Sequence, residues 1–319
     1  MATLLIIGGT GFFGKSILDA FKRGLLTPWN INKVLAMSRN AEALRVDAPE
    51  LISKDVELIN GDIATIDYLP QADFVIHAAA STDASRYLSQ GDEERKNIIS
   101  GTLNYCKLAI KFHKNSKIVF CSSGAVYGYQ PESVERLEEN MVLGDIERLS
   151  DTKKSYAYAK IDSEIAVAKL GELNLNVSVA RCFAFLGKYL PRDKHFAIGN
   201  FILDGLAGKP IEVKADNQVF RSYMYSDDLV EWLMTIADNS NVDCPIFNVG
   251  SEESLEIRDL AGIIAGIFHT TVNSSDKMIS KTDKYIPSVD KAHKKLGLRN
   301  KYSIEKAIKL STGLIQCYF

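Results

Sequence analysis

The stretch Thr3–Gly14, TLLIIGGTGFFG, leaves a chain of this kind few folds to choose from. Leu4 to Ile7 is short and wholly apolar, as in a strand covered on both faces. The run ends on Gly8-Gly9-Thr10-Gly11 and passes into a helical pattern from Phe12 to Phe21. Gly8 permits a tight turn off the strand. Gly11 removes the side chain where a pyrophosphate has to approach, and Gly14 lets the new helix lie close to the sheet. A helix N-terminus offers backbone N–H groups and partial positive charge, both suited to phosphate. A glycine triplet alone is also what any strand-to-helix turn uses. With the strand before it and the helix after it, dinucleotide binding is the favoured reading.

The rest of the chain continues the alternation. Strands are expected at Lys33–Met37, Val56–Ile59, Phe74–Ala79, Lys117–Ser122 and Val177–Cys182, with helical patterns between them. The most regular helical pattern runs from Glu93 to His113, with Ile98, Leu103, Cys106 and Ile110 along one side. Such alternation builds a parallel sheet with right-handed crossovers. The expected fold class is therefore α/β, a doubly wound parallel (Rossmann) sheet with a smaller, discontinuous α/β lobe. The sheet domain is expected over 1–182, with 223–250 returning to it. The lobe takes 183–222 and 251–319. In that second half, helices are expected at Phe201–Ala207, Leu229–Ala237, Leu255–Phe268 and Ser303–Ile315, extended chain at Pro210–Tyr225 and a strand at Ile246–Val249. Thr270–Leu298 reads only as a polar segment.

Bulk properties exclude several partners. A net charge of −2 over 319 residues gives no electrostatic case for nucleic acid or an anionic membrane. No apolar run approaches the length that spans a bilayer. The five cysteines, Cys106, Cys121, Cys182, Cys244 and Cys317, lack metal-ligand spacing, and reduced thiols in a cytoplasmic setting are expected. His77, His113, His269 and His293 show no ligand spacing either, so no metal site is expected.

Tyr156 and Lys160 lie four apart in SYAYAKIDSEIAVAKL, a proline-free run of good helix formers, and so share one helix face. An ammonium beside a phenol favours the phenolate, which can take a proton from a sugar hydroxyl as hydride leaves the carbon. Tyr158, two residues from Lys160, points elsewhere. Ser122-Ser123-Gly124 follows the fifth strand directly, and ligands of parallel sheets sit at carboxyl strand ends. Each of these features alone is common in helices and turns without catalysis. Their combination in this chain order points to an active site.

That ordered set resembles the extended short-chain dehydrogenase/reductases, specifically the nucleotide-sugar epimerase/dehydratase family. The matching segments are GGTGFFG, FVIHAAAST, NIISGTLNYC, IVFCSSGAVYG, YAYAK, VARCFAFLGKYLP, VFRSYMYSDDL, NVGSEESLEIRDLA and YIPSVDKAHKKLGL. The resemblance implies that Gly8, Gly11 and Gly14, with Phe12 and Phe13 at the helix start, hold the cofactor pyrophosphate. It implies that Asp62 and Ile63 cap the adenine and that Ala78 and Ala79 line the phosphate and ribose. Ser123, Tyr156 and Lys160 would be the catalytic set, Lys160 also holding the nicotinamide ribose. Arg221 would meet the phosphates of a sugar nucleotide, to which a guanidinium fork is suited. Asn200 and His195, in KHFAIGN, are further substrate-binding candidates.

The chain departs from the family in two places. Dehydratases of the family carry Asp-Glu after the serine, where this chain has Gly124-Ala125; neither side chain transfers a proton. Ala184 replaces the usual substrate-holding Asn. At the end of the second strand, Ser38 and Arg39 stand where NAD-specific members place a carboxylate, so NADP(H) is preferred over NAD(H). The alternative is that Arg39 stacks on adenine and the cofactor is NAD. The expected function is hydride transfer at C4 of a nucleotide-diphospho-sugar, as epimerase or 4-keto reductase, in polysaccharide or deoxysugar synthesis. Alternatives are a dehydratase with a substituted acid/base pair, a non-sugar carbonyl reductase and a non-catalytic NADP(H)-binding sensor or scaffold. A homodimer through the helices around Glu93–His113 and Tyr156–Leu170 is also expected from the resemblance.

Overall fold

A computed structural model describes residues 1–80, 84–144, 146–192, 196–274 and 279–316; side chains at 84–91, 152 and 279–281 are outside the description. Ser81, Thr82, His195 and Cys317, named above, lie outside the described residues.

The first part of the chain runs β1 (Ala2–Ile7), α1 (Phe12–Lys22), β2 (Ile31–Ser38), α2 (Leu44–Asp47), β3 (Val56–Asn60), β4 (Phe74–His77), α3 (Ala84–Phe112), β5 (Lys117–Ser123), α4 (Asp151–Glu172) and β6 (Asn176–Cys182). There follow β7 (Phe185–Leu186), α5 (Ala197–Leu206), β8 (Ile211–Val213), β9 (Asn217–Arg221), β10 (Met224–Tyr225), α6 (Ser226–Asp238) and β11 (Ile246–Val249). The chain closes with β12 (Leu255–Glu256), α7 (Ile257–Phe268), β13 (Val272–Ser274), β14 (Ile279–Tyr285), α8 (Asp290–Leu296) and α9 (Ile304–Ser311).

A seven-stranded sheet has the order β11-β6-β5-β4-β1-β2-β3. Chain order reverses between β1 and β4, which makes that junction the switch point of a doubly wound α/β fold. The expected fold class is the one observed. Leu5, Val75, Ile118 and Val177, one from each of four sheet strands, are buried in a single core with Tyr105 and Leu108 of α3 and Val167 and Leu170 of α4. Each such aliphatic side chain contributes about 1.5–3 kcal/mol of burial. Helices on the sheet force its strands to be apolar on both faces, and this is why LLII and FVI read as continuous runs.

The chain divides into two compact units: Met1–Gly128, Asp145–Cys182 and Val230–Phe247 form the first, and Tyr129–Gly144, Phe183–Leu229 and Asn248–Phe319 the second. The second holds a three-stranded sheet of order β12-β9-β14 and the pairs β10-β7 and β13-β8. Tyr129–Gly144 belongs to it through side chains with no local signature. Gln130 Nε2 donates to Val134 O and Glu135 O, and its Oε1 accepts from Ile286 N at 2.9 Å. Asn248 Nδ2 donates to Leu137 O and Ser288 O at 2.8 and 3.0 Å. Within Thr270–Leu298, read above only as polar, the structure has β13, β14 and α8. Val272 pairs with Ile211 and Tyr285 with Arg221, partners too distant in sequence for local patterning to register.

Candidate active site

β1, β4 and β5 end on a common edge, because their register pairs Ile7 with His77 and His77 with Phe120. The glycine turn leaves β1 at that edge. The amides of Gly8 and Gly9 both donate to Met37 O, at 2.9 and 2.8 Å. Gly8 has φ +105, and a Cβ there would meet Ala78 C at 2.9 Å and Ala79 N at 3.0 Å. Ala78 and Ala79 thus lie directly against the turn. A Cβ on Gly14 would collide with the backbone of Gly9, so α1 can start this close to the turn only with glycine. At Gly11 the situation differs: a Cβ would meet only Gly8 O, at 3.4 Å. The fold leaves room at Gly11 that it does not fill. Gly11 is the N-cap of α1, with no side-chain cap and no acidic residue in the first turn, where the Phe12 and Phe13 rings lie edge-on with centroids 5.8 Å apart. An uncapped, carboxylate-free helix start with open space suits a diphosphate.

The neighbouring strand ends extend the cradle. Ser38 Oγ, at the end of β2, is buried without a hydrogen-bond partner among the described residues, and Arg39 beside it is exposed. A buried hydroxyl of this kind fits a polar ligand. Asp62 follows β3; its Oδ1 accepts from Ala64 N at 2.9 Å and so shapes its own turn. Asn104 of α3 holds that turn from inside, donating to Ile63 O at 2.9 Å and Ile66 O at 2.7 Å. Gly101 admits the close approach, since a Cβ there would meet Ile63 Cγ2 at 3.0 Å. Sequence reasoning missed both, although Gly101 and Asn104 are three apart on one helix face.

Ser123, Tyr156 and Lys160 come together. The Ser123 hydroxyl lies beside the Tyr156 phenol and favours its charged form. Ser123 Oγ also accepts from Ala125 N at 3.1 Å, capping the 3-10 turn Gly124–Tyr127. Gly124 and Ala125 open that turn and bring no titratable side chain to it. Lys160 is buried; its Nζ donates to Cys121 O at 2.8 Å and lies 5.0 Å from the Phe120 ring centroid and 5.8 Å from that of Tyr156. The electrostatics differ from the sequence expectation. Burial pushes the Tyr156 phenol above its usual value, and only the neighbouring Ser123 hydroxyl opposes it. Burial lowers Lys160, against Cys121, Cys182 and Glu164, which raise it. The ammonium spends one N–H on a carbonyl, so burial outweighs its pull on the phenol. Tyr158 is elsewhere, its hydroxyl donating to Glu147 Oε1 at 2.7 Å.

Behind this set lies a buried ion pair absent from the sequence reading. Arg181 of β6 donates through Nη2 to Glu164 Oε2 at 2.8 Å and through Nε to Oε1 at 3.1 Å, with side chains only 5% and 8% exposed. Ser122 Oγ donates to Glu164 Oε1 at 2.5 Å. The signal for Glu164 was in the sequence: it continues the Tyr156–Lys160 spacing by one more turn.

In the second unit, Asn200 lies half-buried in α5. Arg221 ends β9, its Nη2 on Asp283 Oδ2 at 2.8 Å and its Nη1 on Phe220 O and Asp283 O. Ala184 O accepts from Met224 N at 3.0 Å, a backbone role.

Among solved structures, the fold is similar to a UDP-glucose 4-epimerase from Thermotoga maritima, with TM-score 0.80, 21% identity and 98% of this chain and 97% of that chain covered. It is also similar to a dTDP-glucose 4,6-dehydratase from Streptomyces venezuelae solved with NAD, at TM-score 0.77, 20% identity and 98% and 97% coverage. In sequence, a UDP-glucuronic acid decarboxylase 1 of Arabidopsis thaliana is 23% identical over 96% of this chain and 68% of its own length, and that of Danio rerio 26% over 83% and 60%. The chain therefore spans only part of the length of these eukaryotic relatives. A UDP-N-acetyl-alpha-D-glucosaminuronate decarboxylase of Bacillus cytotoxicus is 27% identical over 86% of this chain and 82% of its own length. The model of the NAD dependent epimerase/dehydratase family matches residues 4–250, most of the chain. With the glycine cradle, the switch point and the sheet order already described, this chain belongs to the NAD dependent epimerase/dehydratase family of nucleotide-sugar enzymes.

Proposed function

We propose that the protein transfers hydride at a carbon of a nucleotide-diphospho-sugar, C4 in the preferred reading, either epimerising that centre or reducing a 4-keto sugar. The carrying observation is that buried Lys160, tied to Cys121 O, lies beside Tyr156 and Ser123 at the sheet edge that also holds the glycine cradle. Gly8, Gly11, Phe12, Phe13 and Gly14 would hold the dinucleotide's phosphates, Ala78 and Ala79 the adjoining ribose, and Asp62 and Ile63 the adenine. Ser38 and Arg39, with no carboxylate between them, favour a 2′-phosphate and hence NADP(H). Residues 1–182 and 223–250 would serve the cofactor, and 183–222 with 251–319 the sugar nucleotide, through Asn200 and Arg221. A cytoplasmic homodimer belongs to the same reading.

The bound nicotinamide supplies the hydride acceptor or donor. In the oxidative direction Tyr156 acts as the phenolate, its own proton having first passed to solvent, and takes the hydroxyl proton as the C–H hydride leaves for the nicotinamide, so that the carbinol becomes a ketone. In the reductive direction the same oxygen returns the proton, and the phenol, kept protonated by burial, is already in the form that donates. Ser123 orients the reacting oxygen and Lys160 supplies positive charge. Expulsion of water from C6 needs an acid and a base after the serine, and Gly124 and Ala125 offer neither. This disfavours dehydration and leaves epimerisation or reduction.

The relatives are named for UDP- and dTDP-sugars, so these head a substrate panel run with NAD, NADP and their reduced forms. Product without net change in reduced-nicotinamide absorbance means epimerisation, and stoichiometric loss means reduction. Tyr156→Phe is expected to lower kcat by about 10²–10⁴-fold with cofactor affinity retained; turnover near wild type would rule the role out.

A further inference from the structure

Tyr156, Lys160 and Glu164 are successive i, i+4 positions on α4 and so form one line along the helix. Glu164 continues that line by one turn, where two strands reach it. Ser122 of β5 donates to Oε1, and Arg181 of β6 donates to both carboxylate oxygens. The sheet register places Ser122 directly beside Arg181, and Ser123 beside Cys182. The Arg181 guanidinium also lies 4.9 Å from the centroid of the Tyr127 ring, in the turn that Ser123 caps. A single carboxylate thus ties the helix bearing Tyr156 and Lys160 to the strand end bearing Ser123 and the Cys121 carbonyl.

A fork-to-carboxylate bond is directional, and low dielectric makes any departure from its geometry costly. It therefore fixes the axial position and rotation of α4 against β5. Apolar packing alone would allow both to slide. We propose that Glu164, clamped by Arg181 and Ser122, is a positioning residue that holds Tyr156 and Lys160 in register with Ser123 and Cys121. This rests on the catalytic reading above for its consequence in turnover, but not for its geometry.

Removing one partner of a buried ion pair leaves a lone buried charge and destabilises the fold, whereas replacing both is often neutral. The informative variant is accordingly the double one, Glu164→Leu with Arg181→Met. Its unfolding midpoint is expected close to wild type, with kcat lowered on the order of 10²-fold. Affinity for ADP, which needs the glycine cradle and not Lys160, should stay within about twofold. Its crystal structure should show Lys160 Nζ withdrawn from Cys121 O and the Tyr156 ring displaced from Ser123. Arginine and carboxylate restored together return both. An unchanged Lys160–Cys121 O bond, or kcat near wild type, overturns the proposal. If the double variant does not fold, Glu164→Gln is read by the same two measurements. If wild type turns over no nucleotide sugar, the functional reading falls, and the paired crystal structures still decide the positioning role.

Discussion

His77 shows what burial does to a single side chain at the site's edge. It closes β4, edge-on to Tyr105 at 4.9 Å and tilted against Phe120 at 5.3 Å between centroids, and neither ring nitrogen has a hydrogen-bond partner among the described residues. Burial, then the nearby Lys160 charge, lowers its pKa from 6.5 to about 3. The folded state therefore keeps the ring neutral while the unfolded chain takes up a proton below pH 6.5. Stability is full above that value and is lost at about 1.4 kcal/mol per pH unit as pH falls toward the folded value. His77→Leu removes this dependence. Denaturant unfolding of both proteins at stepped pH should show wild type losing ground to the variant below pH 6.5 with that slope; a constant difference refutes the assignment. The sequence placed His77 at a strand end but said nothing of its charge state, which depends on rings from α3 and β5.

The glycine turn makes a prediction for an element. The motif reading gives Gly14 and Gly11 different work, and their surroundings in the structure differ accordingly. Gly14→Ala drives a Cβ into the Gly9 backbone and is expected to destabilise by about 1–3 kcal/mol. Gly11→Ala meets only Gly8 O at 3.4 Å, so the unfolding midpoint should hold while dinucleotide affinity falls. Thermal unfolding and calorimetric titration of the two variants with NADP(H) and NAD(H) separate packing from ligand approach. Equal effects in both assays would remove the distinction. On α4 the spacing of Tyr156 and Lys160 was legible because helical periodicity is local. The Glu164 clamp was not, because its partner is chosen by the β5–β6 register.

For the whole molecule, α3 and α4 of the first unit expose Leu103, Ile110 and Ile165 at 54%, 46% and 56%. Large apolar side chains repeated on paired helices fit a self-complementary interface between two copies. Leu103→Asp with Ile165→Asp should halve the mass seen by light scattering without changing the circular dichroism. A wild-type monomer, or an unchanged dimer in the variant, would refute that face. Among the described residues, no helix is long and apolar enough to cross a membrane.

The sequence by itself determined the doubly wound sheet, the glycine turn after β1 and the shared helix face of Tyr156 and Lys160. Each depends on strand or helix periodicity and on glycine, which act over a few neighbouring residues. Only the tertiary structure decided that Tyr129–Gly144 joins the second unit, that polar Thr270–Leu298 contains strands, and that burial, not Lys160, sets the Tyr156 phenol. Those outcomes depend on which distant segments become neighbours and how far water is excluded from them. A side chain's neighbours in three dimensions, and hence its charge, are fixed only when the sheet closes around it.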